Sequence, residues 1–100
     1  MNVRMLPIAR RELMRAATWY DRRAPGLGDR LLDEVAERLQ LLKERPTSRP
    51  PVPVGSFERS LLSTFPYSLI YRVEANEVVI IAVAHYKRRL GYWRRRKPET

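Results

Sequence analysis

The chain has 100 residues, 44% hydrophobic and 31% charged, which is enough apolar material for the core of one small domain. Its 20 lysines and arginines against 11 acidic residues give a formal net charge of +9, which favours an anionic partner, either nucleic acid or an acidic protein segment. No apolar run approaches the ~18 residues of a membrane-spanning helix. Residues 1–9 lack the apolar stretch of a signal peptide, so we expect a cytoplasmic protein.

The residue types that bind metals or form disulfides are almost absent. There is no cysteine, which excludes a disulfide scaffold and a cysteine nucleophile, and His85 is the only histidine. We therefore expect neither a metal nor another cofactor.

The basic residues concentrate at the C-terminal end. Beyond position 75 there are seven of them against two glutamates. They are Lys87, Arg88, Arg89, Arg94, Arg95, Arg96 and Lys97. This end is either a solvated tail or a binding element for an anionic partner.

The first half of the chain predicts a short strand followed by two helices. A strand over residues 3–6 ends at Pro7, which suits the first position of a helix. Apolar residues recur at helical spacing over residues 7–23 and again over 29–45. The intervening string APGLG allows only a tight connection, so the two helices form an antiparallel hairpin.

The second half predicts a sheet. Four prolines between positions 46 and 53 allow neither a helix nor a central strand, so this segment is an extended connector. A strand follows over residues 57–64, and two β-rich runs, 67–74 and 77–85, are joined by a two-residue hairpin turn. The predicted fold is α+β in one domain, 1–100: a short N-terminal strand, an antiparallel helical hairpin packed on a mainly antiparallel sheet of three to four strands, and a basic C-terminal tail.

The register of this β-hairpin assigns side chains to two faces of the sheet. If Glu74 pairs with Glu77, one face is apolar enough to cover the helices. Its residues are Tyr67, Leu69, Tyr71, Val73, Val78, Ile80, Ala82 and Ala84. The other face carries Ser68, Ile70, Arg72, Glu74, Val79, Ile81, Val83 and His85. Two helices cannot cover both faces, so we expect an exposed stripe of Val79, Ile81 and Val83 that binds a partner, unless the C-terminal tail folds back over it.

Several strings, in order along nearly the whole chain, resemble the RelE/ParE superfamily of toxins from bacterial type II toxin-antitoxin systems, which includes plasmid stabilisation proteins. They are ATWY at 17–20, PGLG at 25–28, FPYSLIYRV at 65–73, and AVAH at 82–85 followed by Tyr92 and Trp93. The order of predicted elements is similar to that of the superfamily. The resemblance implies a growth-inhibiting toxin that forms an oligomer with a cognate antitoxin, itself acidic and partly disordered.

The superfamily contains two mechanisms. RelE-like members cleave messenger RNA on the ribosome, whereas ParE-like members poison DNA gyrase without recognised catalytic residues. RNA cleavage requires groups that transfer protons and cations that offset the charge of the phosphorane. Ser68 stands where RelE has an arginine, and no lysine lies between Glu44 and Tyr86. Because these catalytic cations are missing, the sequence favours a ParE-like toxin directed at gyrase.

Two alternatives remain open. Other ribonuclease members of the superfamily use a histidine and a tyrosine in this region, so His85 and Tyr86 could transfer protons while Arg72 or Arg59 binds the phosphate. A lone histidine at a strand end also serves as a structural hydrogen-bonding residue. The third hypothesis is a basic nucleic-acid-binding module, which depends on charge alone.

The residues expected to bind a target or antitoxin lie on the second face of the sheet and in the C-terminal third. They are Arg59, Arg72, Val79, Ile81, Val83, Lys87, Arg88, Arg89, Tyr92 and Trp93. We expect Tyr92 and Trp93 to anchor the C-terminal segment on the domain, and residues 94–97 to project from it. Trp19 and Tyr20 are expected to pack in the core or the helical hairpin.

Overall fold

The computed structural model describes residues 1–44, 56–74 and 76–98. The elements are β1 (Asn2–Met5), α1 (Pro7–Arg23), α2 (Leu27–Lys43), β2 (Phe57–Leu61), β3 (Tyr67–Glu74) and β4 (Glu77–His85). Within the described residues the strands form one sheet in the order β1-β4-β3-β2, in which β1 runs parallel to β4 and the other pairs are antiparallel. The predicted α+β class, N-terminal strand and helical hairpin are confirmed. The proline-rich connector predicted at 46–53 lies outside the described residues.

The two helices approach each other closely at the start of α2. Gly28 is buried, and a Cβ atom at this position would collide with the backbone oxygen of Ala17 and with the carboxylate of Asp21. The same carboxylate accepts a hydrogen bond from the Gly28 amide at 2.7 Å. Glycine is therefore required here by the close packing of the two helices.

The register of β3 and β4 starts as predicted at the two glutamates beside the turn, but a bulge interrupts it between Ile70 and Tyr71. Tyr71 lies opposite Ile80 and Ile70 lies opposite Ala82, so Ile81 is an extra residue on β4. Because side chains alternate with a period of two, one extra residue exchanges the faces of all those that follow. The predicted faces are therefore wrong from residue 81 onward.

The bulge turns the last residues of β4 towards the helices. Val83 pairs with Leu69 and His85 pairs with Tyr67. The ring of Tyr67 in turn lies 6.4 Å from that of Tyr20 on α1. Val83 and His85 thus lie on the helical side of the sheet, and the opposite side carries the small residues Ala82 and Ala84.

The stripe that was predicted to be exposed is buried. Val79, Ile81 and Val83 are 0%, 0% and 2% exposed. On the side away from the helices, buried Trp93 packs its ring 4.6 Å from that of Phe57, and Arg96 donates a hydrogen bond of 3.0 Å to the Ile81 carbonyl. The prediction of an uncovered stripe is wrong for two reasons. The bulge places Val83 on the helical side of the sheet, and the C-terminal segment folds back over the other side, which is the alternative that the sequence left open.

Candidate functional site

A cleft of about 170 Å³ lies where β4 ends and the C-terminal segment begins. Seven of the residues predicted to act at a site line it, together with Ser68, Ile70 and Ala84 from the sheet. The seven are Arg59, His85, Tyr86, Arg88, Arg89, Tyr92 and Trp93. We call this the C-terminal cleft.

Short backbone contacts fix the chain around this cleft. The amide of Tyr86 donates to the Pro66 carbonyl at 2.9 Å, and the amide of Arg88 donates to the His85 carbonyl at 3.0 Å. The chain therefore turns sharply at the end of β4. Trp93, 6% exposed, then anchors the returning segment on the sheet, as predicted from the sequence.

The C-terminal cleft is strongly cationic. Arg59, Arg88 and Arg89 are exposed, and no carboxylate within residues 1–44, 56–74 and 76–98 forms an ion pair with them. The guanidinium carbon of Arg88 lies 3.9 Å from the centre of the Tyr92 ring, which positions this charge at the cleft. The site can bind an anionic surface without first breaking an internal ion pair.

His85 and Tyr86 lie in the cleft, but each is bound to a separate structural partner. The Nδ1 atom of His85 accepts a hydrogen bond of 3.0 Å from the Lys87 amide, and its ring meets that of Tyr67 edge-on at 5.0 Å. The Tyr86 hydroxyl donates to the Leu62 carbonyl at 3.2 Å. Across the part of the chain that is described, no hydrogen bond joins His85 to Tyr86.

Arg72 lies away from this cleft. It pairs with Val79 near the other end of β4, five residues along β3 from Tyr67, a separation of about 17 Å at ~3.3 Å per residue. Its Nε atom lies 3.2 Å from the Glu74 carboxylate, and its guanidinium stacks on Phe57 at 5.3 Å. The structure thus brings Arg59 to His85 and Tyr86, and it separates Arg72 from them.

Glu12 on α1 holds the C-terminal segment, a role that sequence reasoning missed. Its carboxylate accepts hydrogen bonds from Arg96 at 2.8 and 3.1 Å and from the Tyr92 hydroxyl at 2.6 Å. Burial and then this hydrogen bond raise the pKa of Tyr92 well above its usual range. Arg96 is therefore tied to the domain, and the prediction that all of residues 94–97 project is wrong for this residue.

The side chains of Glu12 and Arg96 also protect an edge of the sheet. β1 pairs with β4 only as far as Ile80, so beyond this residue the edge of β4 that faces away from β3 is not paired with β1. The Val83 amide donates instead to Glu12 at 3.1 Å, and the Ile81 carbonyl accepts from Arg96 at 3.0 Å. Side chains thus satisfy the backbone where the neighbouring strand has ended.

The aromatic residues at the end of α1 are connected to the C-terminal cleft by a series of ring contacts, from Tyr20 through Tyr67 to His85. Trp19 is 48% exposed, so of the two predicted placements, the core and the helical hairpin, the core is excluded for this side chain. Its ring meets that of Tyr20 at 4.9 Å, and Tyr20 contacts Phe65 at 4.9 Å and Tyr67 at 6.4 Å. Burial raises the pKa of both Tyr20 and Tyr67, and the nearby Tyr20 adds to the effect at Tyr67.

Within residues 1–44, 56–74 and 76–98, no group of three or more His, Cys, Asp or Glu side chains is placed to bind a metal ion. Neither α1 nor α2 has the length and the apolar character needed to cross a membrane.

Comparisons with known proteins agree with this architecture. The model of the family described as "ParE toxin of type II toxin-antitoxin system, parDE" matches residues 3–90. A solved structure titled "Chromosomal ParDE TA system from P. aeruginosa" superposes with a TM-score of 0.70 at 18% sequence identity, covering 85% of this chain and 95% of that one. A comparison with curated proteins gives no match.

A family match across most of the chain, joined to the helical hairpin and the four-stranded sheet, defines the class of protein. The chain belongs to the ParE toxins of type II toxin-antitoxin systems. Membership of this family implies an antitoxin partner.

Proposed function

We propose that this ParE-family toxin arrests growth in the cytoplasm by binding DNA gyrase, and that a cognate acidic antitoxin neutralises it. Gyrase is the target that the superfamily resemblance implies for ParE-like members. The observation that supports the proposal most is the C-terminal cleft, where exposed arginines surround a fixed aromatic anchor. Such a surface suits binding to a partner by charge and by aromatic contact.

The chemistry of the cleft favours binding over cleavage. RNA hydrolysis needs a proton acceptor and a proton donor on opposite sides of the reacting phosphate. The Tyr86 hydroxyl donates to Leu62, and His85 holds the Lys87 amide through Nδ1. Ser68, at the position where RelE has an arginine, is buried and offers no cation. A ribosome-dependent ribonuclease is the second candidate, because His85, Tyr86 and Arg59 do lie in one cleft.

A pair of assays on the purified full chain tests both candidates. We expect it to inhibit supercoiling by bacterial gyrase and to accumulate cleaved DNA–gyrase complexes. The double variant Arg88→Glu/Arg89→Glu should raise the concentration needed for inhibition at least about tenfold, since charge reversal at an interface acts against association. Arg30→Glu, an exposed arginine on α2, is the matched control and should act like the unmodified chain.

The opposite outcome is equally clear. Gyrase that remains fully active, together with codon-specific cleavage of messenger RNA on ribosomes that His85→Ala abolishes, would replace the gyrase proposal with the ribonuclease. If neither assay responds and the chain does not slow growth when expressed, the assignment of a toxic activity to this copy is wrong.

A further inference from the structure

The β2–β3 loop, residues 62–66, lies between α2 and the end of β4. Its side chains Leu62 and Phe65 are buried, at 4% and 5% exposed, whereas Ser63 and Thr64 between them are exposed. The amides of these two exposed residues lie after the end of β2 and before the start of β3, so they take no part in the strand pairing. Such amides need an acceptor from elsewhere, either water or a side chain.

Glu34 on α2 supplies that acceptor. Its Oε2 atom accepts a hydrogen bond of 2.7 Å from the Ser63 amide, and both of its carboxylate oxygens lie 3.1 Å from the Thr64 amide nitrogen. One turn further along α2, Arg38 donates to the Ser63 hydroxyl at 2.8 Å. A carboxylate that binds two consecutive amides forms charge-assisted hydrogen bonds, which fix the loop more firmly than a neutral side chain would.

One peptide group of the loop joins Glu34 to Tyr86. The Ser63 amide, which donates to Glu34, belongs to the same peptide group as the Leu62 carbonyl, which accepts from the Tyr86 hydroxyl at 3.2 Å. Because a peptide group is planar and rigid, its N–H and C=O point in opposite directions and move together. Hydrogen bonds at the two ends of one peptide group also polarise each other. A change at the Glu34 carboxylate is therefore transmitted to Tyr86.

Tyr86 in turn borders the C-terminal cleft. Its amide donates to the Pro66 carbonyl at 2.9 Å, so both its backbone and its hydroxyl are bound to the β2–β3 loop. Its ring is half exposed and lines the cleft together with Arg88 and Arg89, which come soon after it in the chain. The loop thus fixes the point at which the chain turns away from β4 and begins to form the cleft.

We propose that Glu34 is a positioning residue of the C-terminal cleft. Through the peptide group of Leu62 and Ser63 it holds the Tyr86 hydroxyl, and with it the start of the turn that presents the arginines of the cleft to a target. The cleft is lined by the sheet and the C-terminal segment, whereas Glu34 lies on α2, so its effect passes through the β2–β3 loop. The inference rests on the proposed function only for the identity of the target.

A purely structural role for Glu34 makes a different prediction. Removing a contact that only stabilises the loop would lower the free energy of unfolding and leave the folded cleft as it is. A positioning role changes the surroundings of Tyr86 in molecules that remain folded. The variant Glu34→Gln separates the two roles, because glutamine keeps the shape of the side chain but replaces a charged acceptor with a neutral one that has a single oxygen.

The first test records nuclear magnetic resonance spectra of the full-length chain. The Tyr86 ring signals are identified by their loss in Tyr86→Phe, and the His85 ring signals belong to the only histidine. We expect Glu34→Gln to shift both sets of signals. Reciprocally, Tyr86→Phe should shift the amide signal of Ser63 although Glu34 is intact. Glu37→Gln, which makes the same change of charge at an exposed position on α2, is the matched control and should leave all these signals in place.

The second test measures inhibition of gyrase supercoiling by the same variants, at a temperature where circular dichroism shows that each is folded. Glu34→Gln should raise the concentration needed for half-inhibition at least about fivefold, because it removes a charge-assisted contact that sets the cleft. Glu37→Gln should act like the unmodified chain. Because Glu34→Gln and Tyr86→Phe break the same series of hydrogen bonds, the double variant should be no weaker than the weaker of the two single variants.

Two results would overturn the proposal. Tyr86 ring signals that Glu34→Gln leaves in place would show that the loop does not transmit the change. A double variant whose loss of inhibition equals the product of the two single losses would show that Glu34 and Tyr86 act independently. If the unmodified chain does not inhibit gyrase, the proposed function fails, and the spectra alone then decide this inference.

Discussion

Glu12 on α1 and Arg96 in the C-terminal segment, 84 positions apart in the chain, form an ion pair with the Arg96 Nη1 atom 2.8 Å from the Glu12 Oε1 atom. A second hydrogen bond of 3.1 Å joins Nη2 to Oε2. Both side chains are about 15% exposed, so water screens the pair little. The end of the chain is thus tied to its first helix.

Removing one partner of the ion pair between Glu12 and Arg96 should destabilise the fold. We expect Glu12→Gln and Arg96→Met each to lower the free energy of unfolding by about 2–4 kcal/mol, because the partner is left buried without its counter-charge. Urea denaturation followed by tryptophan fluorescence measures this. Glu37→Gln, at an exposed position on α2, is the control and should change stability by less than about 0.5 kcal/mol. Equal values for Glu12 and Glu37 would contradict a structural role for the ion pair.

The buried phenol of Tyr92 predicts a loss of stability in alkali. Burial and the hydrogen bond to Glu12 raise its pKa above the usual value of 10.0. Above this pH the unfolded chain loses a proton that the folded chain keeps, so the free energy of unfolding decreases as pH rises towards the raised pKa. Tyr20 and Tyr67, whose pKa values burial also raises, act in the same direction.

The variant Tyr92→Phe separates the contribution of Tyr92 to this loss of stability from those of Tyr20 and Tyr67. The variant should be less stable at neutral pH because it lacks the hydrogen bond to Glu12. Between about pH 8 and about pH 11, however, its stability should decrease less than that of the unmodified chain. Urea denaturation at both pH values tests the prediction, and parallel decreases in the two proteins would refute it.

Gly28→Ala should weaken the helical hairpin. The new methyl group would collide with the Ala17 oxygen and the Asp21 carboxylate, and relief requires the helices to separate. We expect a loss of about 2–3 kcal/mol, which is typical of overpacking. Gly26→Ala is a useful comparison, because that position has a φ of +88° but open space around it. It should cost only about 1 kcal/mol of backbone strain, so a smaller loss for Gly28→Ala than for Gly26→Ala would be inconsistent with the close approach.

The salt dependence of target binding should distinguish two groups of basic residues. Arg88 and Arg89 line the C-terminal cleft, so reversing their charge should weaken binding at every ionic strength. Arg94 and Arg95 are exposed beyond Trp93, and changing both to Ser should mainly lower the association rate at low salt. Surface plasmon resonance at about 0.05 and about 0.3 M salt measures both effects. Identical salt profiles for the two double variants would contradict separate roles.

The hydrophobic spacing and the turn residues were sufficient to predict most elements of the fold. Pro7 and Arg23 are both the predicted and the observed ends of α1, and the turn between Glu74 and Glu77 has the predicted register. These features depend on neighbours in the sequence, whose effects on backbone angles are local. The predicted site residues around His85 could be grouped for the same reason, because most of them come directly after the end of β4 in the sequence.

Only the tertiary structure decided which surfaces are exposed. The bulge at Ile81 reverses the faces of the β4 residues that follow it. No local pattern predicts this bulge, because every residue from Val78 to Ala84 is apolar and fits either face. The contact of Glu12 with Arg96 joins positions 84 apart, and it covers a strand edge whose exposure depends on where β1 ends. Trp19 lies outside the core although its spacing on the helix allowed a buried position. Periodicity determines which residues share a face, whereas burial of that face depends on which distant segment packs against it.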